Sequence, residues 1–256
     1  MNCPLCADSS QSIFAEWSDY KILQCAACEF RFINTEAASY PVDAQYHYDE
    51  VGDFTICPNQ PHLKRRVKDI LAFKQPPGRA LDIGCGKGEV AILLEQAGFK
   101  SAGIDMKERL IKQLQDQYPQ VEWRVALTTD LAGKAERFDL LTMYHVLEHI
   151  PQPRKVLETV KALANPGALI VIEVPNPAGL EARLKGRRWQ YYKVDHVNYF
   201  KPRHLRRLAK DLDFEILAIK GYQHFSHPQD VWWKDSIKAG LAKIGFQDVI
   251  SIFLRA

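Results

Sequence analysis

The chain has 256 residues, 46% of them hydrophobic and 25% charged, which is ordinary for a globule able to bury one large core or a core with a small attachment. A net charge of +3 is too mild to point to nucleic acid or to a membrane surface. No apolar run approaches ~18 residues and the opening MNCPLC is not a basic-then-apolar leader, so a cytoplasmic protein without a membrane span is expected.

Six cysteines raise the question of a disulfide scaffold, but four of them fall as two CxxC pairs. Cys3–Cys6 and Cys25–Cys28 are separated by eighteen residues, the spacing of a zinc site. Four thiolates close a tetrahedron with no open position, which is structural zinc rather than catalytic zinc. Short strands are expected at residues 12–17, 20–24 and 30–33, making residues 1–33 a zinc ribbon. The glycine common after such knuckles is replaced by Ala7 and Glu29. So small a unit lacks apolar mass, so its folding is expected to depend on the metal. Four reduced, unliganded cysteines are the alternative.

Residues 34–61 form a linker rich in aromatics and turn residues, read either as a crossing segment or as a flap in which Tyr46, His47 and Tyr48 face a cationic ligand. Residues 62–74 have helical spacing, with Leu63, Val67, Ile70 and Leu71 inward and Lys64, Arg65, Arg66 and Lys68 expected in solvent. Pro76-Pro77-Gly78 ends this helix.

Residues 79–106 read RALDIGCGKGEVAILLEQAGFKSAGIDM. A short buried strand at 81–83 runs into a turn with Gly84, Gly86 and Gly88, where a side chain would block the approach of a ligand. A helix at 89–96 follows, then a strand at 101–104 that delivers Asp105 about 20 residues on, where nucleoside-binding folds place an acid for the ribose hydroxyls. Glu89 stands where a dinucleotide fingerprint wants its third glycine, which argues against NAD. Cys85 is a small filler within the turn, and neither it nor Cys57 has an adjacent base.

DIGCGKG followed by GIDM resembles the first two motifs of class I S-adenosylmethionine-dependent methyltransferases. That resemblance implies an α/β, Rossmann-like, seven-stranded sheet over residues 62–256. It places the glycine turn against the methionine part of the cofactor, Asp105 on both ribose hydroxyls and Asp130 near the adenine amine. The cofactor residues it implies are Asp82, Gly84, Cys85, Gly86, Gly88, Asp105, Met106, Asp130, Tyr144 and His145.

A helix at 108–117 and strands at 121–125 and 138–143 continue the pattern. FDLLTMYHVLEHIPQP, the helix at 154–164 and the strand at 168–174 resemble the post-motif of the subgroup with VLEHIxxP. His145, Glu148 and His149 lie just past the end of a central strand, where open α/β sheets place their chemistry. His145 is read as touching cofactor or substrate. Glu148 and His149 are read either as catalytic or as a pair fixing the loop. His145 and His149 make an HxxxH without a third ligand in the sequence and without metalloprotease order, so no catalytic metal is expected there.

Residues 175–201 interleave Arg187, Arg188, Trp189, Tyr191, Tyr192, Asp195, His196, Tyr199 and Phe200, which suits a planar or anionic substrate. DHVNYFKPRHLRRLAKDLDFEIL resembles the EHxxYFxPxxLxxL tract of the same subgroup, which includes zinc-ribbon sugar C-methyltransferases. The resemblance implies that Asp195 and His196 abstract a proton from a small-molecule acceptor, Asp195 raising the His196 pKa. Asp195 replaces the subgroup's glutamate, and Lys193 stands where a tyrosine would serve. A capping role for His196 is the alternative.

A helix at 202–212 with a solvated basic face, a strand at 214–220, a helix at 230–243 and a last strand at 249–254 close the chain, with the two strands expected to pair antiparallel. The expected activity is methyl transfer to a small molecule, a sugar or another metabolite. Alternatives are an RNA base methyltransferase carrying a CPLC zinc module and a zinc-ribbon adaptor that binds cofactor without turnover.

Overall fold

The computed structural model describes residues 2–35, 55–222 and 247–256. The strands are β1 (Gln11–Glu16), β2 (Lys21–Cys25), β3 (Arg31–Ile33), β4 (Arg79–Ile83), β5 (Lys100–Asp105), β6 (Glu122–Val125), β7 (Phe138–Tyr144), β8 (Ala164–Pro175), β9 (Asn198–Tyr199), β10 (Glu215–Tyr222) and β11 (Val249–Arg255). The helices are α1 (Pro61–Leu71), α2 (Glu89–Gln96), α3 (Glu108–Gln117), α4 (Pro153–Leu163), α5 (Leu180–Lys185) and α6 (Pro202–Asp211).

The main sheet has seven strands in the order β10-β11-β8-β7-β4-β5-β6. Strands β4 to β8 are mutually parallel, and β11 runs antiparallel to both β8 and β10, so the expected pairing of the last two strands is found. Parallel strands must be covered on both faces. Leu63, Val67 and Ile70 of α1 pack with Val90 and Leu94 of α2 over one face. Val156, Leu157 and Val160 of α4 pack with Leu205 and Leu208 of α6 over the other.

Strands β7, β4 and β5 are consecutive in this sheet, and the loops leaving their C-terminal ends converge on one crevice. That is the reversal point where such sheets receive ligands.

β1, β2 and β3 form an antiparallel ribbon as expected, but the ribbon is not an isolated unit. β9, a two-residue strand with no periodicity to announce it, adds to its edge, pairing Arg31 with Tyr199 and Phe32 with Asn198. Ile22 and Ile33 of the ribbon share an apolar cluster with Trp189, Tyr192 and Val197, while Phe30 and Phe32 join the core under α6.

The short helix α5 was not expected either. One correction concerns α1. Lys64 and Lys68 are exposed as expected, but Arg65 and Arg66 turn inward to Glu173, a buried acid in β8. A carboxylate inside a strand needs a counter-charge, and the nearest helix provides it.

Among the described residues no helix is long and apolar enough to cross a membrane. The flap residues Tyr46, His47 and Tyr48 and the expected helix at 230–243 lie outside the described residues.

Candidate functional site

The turn after β4 has two jobs divided among three glycines. Gly84, Gly86 and Gly88 all have positive φ. Gly84 and Gly86 line the crevice; a Cβ on Gly84 would meet Val146 at 2.5 Å, whereas one on Gly86 would meet nothing within 4 Å among the described residues, so the backbone at Gly86 is bare toward the cavity. Gly88 instead faces inward, where a Cβ would meet Trp123 at 2.5 Å. Cys85 is buried in the same cluster as Trp123, and burial pushes its thiol up, as befits a filler.

Asp105 ends β5, and its carboxylate accepts N–H groups from Gly86 at 3.0 Å and Lys107 at 3.1 Å. These bonds hold the acid in the crevice beside the turn. Met106 and Leu127 are 40% and 50% exposed and both line the cavity, an apolar pair suited to the flat faces of a base.

Asp130 does not line it. Its carboxylate accepts the Leu127 N–H at 2.8 Å and so fixes the turn that presents Leu127, Thr128 and Thr129. Asp82 is likewise behind the wall. It is buried, bonded by the Thr142 hydroxyl at 2.6 Å, and burial raises its pKa to about 7.

β7 delivers Tyr144 and His145 to the opposite wall. His145 has φ 57, a left-handed conformation that a side chain rarely adopts and that costs on the order of 1 kcal/mol or more. Three features hold it there. Its N–H bonds the Glu173 carbonyl at 2.9 Å. Its ring Nδ1 is 3.3 Å from Glu148 Oε1, and Nε2 is 3.6 Å from Glu173 Oε1. Glu173 is itself clamped by Arg66 Nε at 3.0 Å and by the Ser251 hydroxyl at 2.6 Å. Burial alone would raise the Glu173 pKa, but Arg66 and His145 hold it below the usual range.

The third wall comes from residues 191–196. Tyr191, Lys193 and His196 line the cavity with His149 and Ile150. Tyr191 stacks on the His196 ring at 5.7 Å, and the edge of His149 meets the same ring at 4.6 Å. His149 Nδ1 is 2.8 Å from the Asp195 backbone carbonyl, which pins the loop after β7 to this segment, the loop-fixing role expected of the pair.

The expected rise of the His196 pKa is not found. The Asp195 carboxylate takes Lys193 Nζ at 2.8 Å and lies 3.8 Å from His149. His196 is 4% exposed, and burial, reinforced by the His149 and Lys193 charges, lowers its pKa far below 6.5. Burial outweighs sequence adjacency because consecutive residues point apart.

Away from the crevice the four paired cysteines converge. Cys3 and Cys28 sulfurs are 3.7 Å apart, Cys6 and Cys25 sulfurs 3.6 Å, and all four lie within 4.8 Å of one another. Zn–S bonds of ~2.3 Å at tetrahedral angles put sulfurs about 3.8 Å apart, so the residues fit the ion. Ala7 and Glu29, at the missing glycines, have φ 62 and 55, the left-handed turn a glycine would make easily.

The crevice holds Gly84, Gly86, Asp105, Met106, Tyr144, His145 and His196 of the expected site residues, in one cavity of about 640 Å³. Asp82, Cys85, Gly88, Asp130 and Asp195 support it from outside. Tyr191, named in the aromatic segment read for a substrate, is one wall, whereas Arg66 with Glu173 behind His145 was missed by sequence reasoning. An acid inside ALIVIEVP is the signal that would have found Glu173.

Comparison with known proteins supports one family. Residues 59–219 match the family model described as "Methyltransferase domain". The ubiquinone biosynthesis O-methyltransferase of Xanthomonas axonopodis pv. citri is 28% identical over 173 residues, covering 61% of this chain and 71% of that protein. The enzyme of the same name from Leptothrix cholodnii is 23% identical over 167 residues, covering 60% and 71%. A crystal structure of an S-adenosylmethionine-dependent methyltransferase from Archaeoglobus fulgidus superposes with a TM-score of 0.59 at 21% identity, covering 76% of this chain and 93% of that one.

Proposed function

This chain belongs to the class I S-adenosylmethionine-dependent methyltransferases, and from that premise we propose that it methylates a hydroxyl oxygen of a small, largely apolar molecule held between Tyr191, His149 and His196. The observation that carries the reading is the single cavity that joins the glycine turn and Asp105 to those three side chains. Oxygen as the acceptor atom is supported by the O-methyltransferase names of the relatives.

S-adenosylmethionine supplies a methyl group on a sulfonium that is already electrophilic, so the chain's task is mainly alignment. Gly84 and Gly86 let the backbone approach the methionine part, and Asp105 accepts the ribose hydroxyls with its remaining lone pairs. Met106 and Leu127 would hold the adenine by apolar contact. Gly88 and Cys85 shape the turn from behind, Asp82 braces β4 against β7, and Asp130 holds the adenine-side turn. Holding acceptor oxygen and methyl carbon in line supplies roughly 7–11 kcal/mol of the barrier as effective molarity.

An alcohol or phenol must lose its proton as the new bond forms. His145, fixed between Glu148 and Glu173, is the assigned base. His196, kept neutral by burial, presents a lone pair rather than a charge. Asp195 is a positioning residue acting through His149. Cys3, Cys6, Cys25 and Cys28 hold a structural zinc whose binding completes the ribbon.

The test is a panel of phenols, hydroxylated metabolites and nucleotide sugars with methyl-labelled cofactor. Label in an O-methyl product, reduced about 100-fold by His145→Ala, is expected. Label on carbon or in RNA, or full rate in both His145→Ala and His196→Ala, overturns the acceptor or base assignment respectively.

A further inference from the structure

The chain itself places a carboxylate and two imidazoles where the acceptor would lie. Glu148, His149 and His196 each offer one ligand atom, and these atoms all lie within 4.8 Å of one another. The sequence has no sign of this set, since His196 comes from a segment far along the chain.

We infer that Glu148, His149 and His196 bind a divalent transition-metal ion at the acceptor end of the cavity. Each member is prepared in a different way. Glu148 is 1% exposed, and its Oε2 is buried with no hydrogen-bond partner among the described residues, an acceptor that burial leaves costly unless something claims it. His149 has Nδ1 committed to the Asp195 carbonyl at 2.8 Å, which leaves Nε2 as its donor to metal. His196 is bonded at its ring to the Tyr191 backbone, leaving its other nitrogen. Imidazoles tied to a backbone carbonyl on one nitrogen are the usual dress of metal ligands, because the tie sets tautomer and ring direction. Lys193, whose charge bears on His196, pairs with Asp195 at 2.8 Å.

Two imidazoles and one carboxylate suit Zn2+, Fe2+ or Co2+ better than Mg2+ or Ca2+, which prefer oxygen. Three protein ligands leave positions open, and both histidines line the cavity. An acceptor hydroxyl would coordinate there. The ion's charge would lower the pKa of that hydroxyl, whose proton would pass to His145, the base assigned above. The oxygen lone pair then forms the C–O bond while the C–S bond electrons go to sulfur. This last part rests on the oxygen-acceptor reading above, whereas the metal site does not.

The probe is Co2+ added to full-length protein whose cysteine site has first been filled with Zn2+. Calorimetry and visible absorption are expected to show one further Co2+ per chain, with d–d bands and no thiolate-to-cobalt charge transfer. Glu148→Gln and His149→Gln are expected to weaken that ion at least tenfold while leaving cofactor affinity within about twofold. His149 is half-buried and is the variant least exposed to misfolding, which thermal melts check. The absence of that Co2+, or one that both variants bind as tightly, overturns the site. Failure of the unaltered protein to bind cofactor would overturn the methyltransferase assignment of the cavity instead, whatever happens to Co2+.

Discussion

Phe32 of the ribbon and Asn198 of the acceptor-side segment are neighbours in one antiparallel ladder. The next ladder bond runs from the Ile33 N–H to the Val197 carbonyl at 2.9 Å, one residue from His196. Asn198 also ties back through its side-chain amide to the Ile150 carbonyl at 2.6 Å. The cysteine knuckles therefore brace the acceptor wall.

Metal removal should accordingly be selective. Cys25→Ser, or stripping with a strong chelator, is expected to raise the acceptor KM or abolish turnover by at least tenfold while cofactor affinity changes less than threefold. Calorimetry with the demethylated cofactor, set beside steady-state kinetics, separates the two. Equal loss of both would mean the ribbon supports the whole fold.

The glycine turn allows a contrast between neighbours. Gly86→Ala puts a methyl into open crevice and costs about 1 kcal/mol of backbone strain, so folding persists and cofactor affinity falls at least tenfold. Gly88→Ala drives a methyl against Trp123 and Leu114 and should cost roughly 2–5 kcal/mol of stability through overpacking and strain together. Denaturant melts and cofactor titration on the same samples check both.

Arg66→Met leaves Glu173 buried without its main counter-charge. Breaking a buried pair typically costs about 3–5 kcal/mol, so a marked loss of stability is expected. Adding Glu173→Gln should recover much of it, because a neutral amide no longer demands the charge. If the double variant is no better than the single, the cost lies in packing.

Asp82 gives a pH signature. Burial raises its folded pKa to about 7 from 3.8, so the folded state holds a proton that the unfolded chain has lost between those values. The stability it contributes is present below about 3.8 and declines as pH rises toward 7, on the order of 1 kcal/mol per pH unit. Asp82→Asn should remove this decline, making the variant relatively more stable at pH 8 than at pH 5. Chemical denaturation across that range measures it.

The succession of strands and helices along the chain was readable because a buried strand, a bare turn and an amphipathic helix each leave a local pattern. DIGCGKG and GIDM are close enough in the chain that the turn and Asp105 meet by construction. The four cysteines were readable for a similar reason, since ion and ligand spacing leave one sensible partner set.

What escaped were relationships between distant segments. Asp195 and His196 look like a pair because they are adjacent, yet the turn closed by the His196 N–H on the Lys193 carbonyl leaves one bonded to Lys193 and the other under Tyr191. Arg65 and Arg66 look solvated until β8 brings Glu173 beneath them.

The amino-acid order alone thus determined the cofactor half of this protein, the sheet and the cysteine knuckles, because each is encoded within a short stretch. Only tertiary structure decided the acceptor half. Its walls come from β7, the 191–196 segment and the ribbon, and desolvation on their assembly decides which of their charged groups stay ionised.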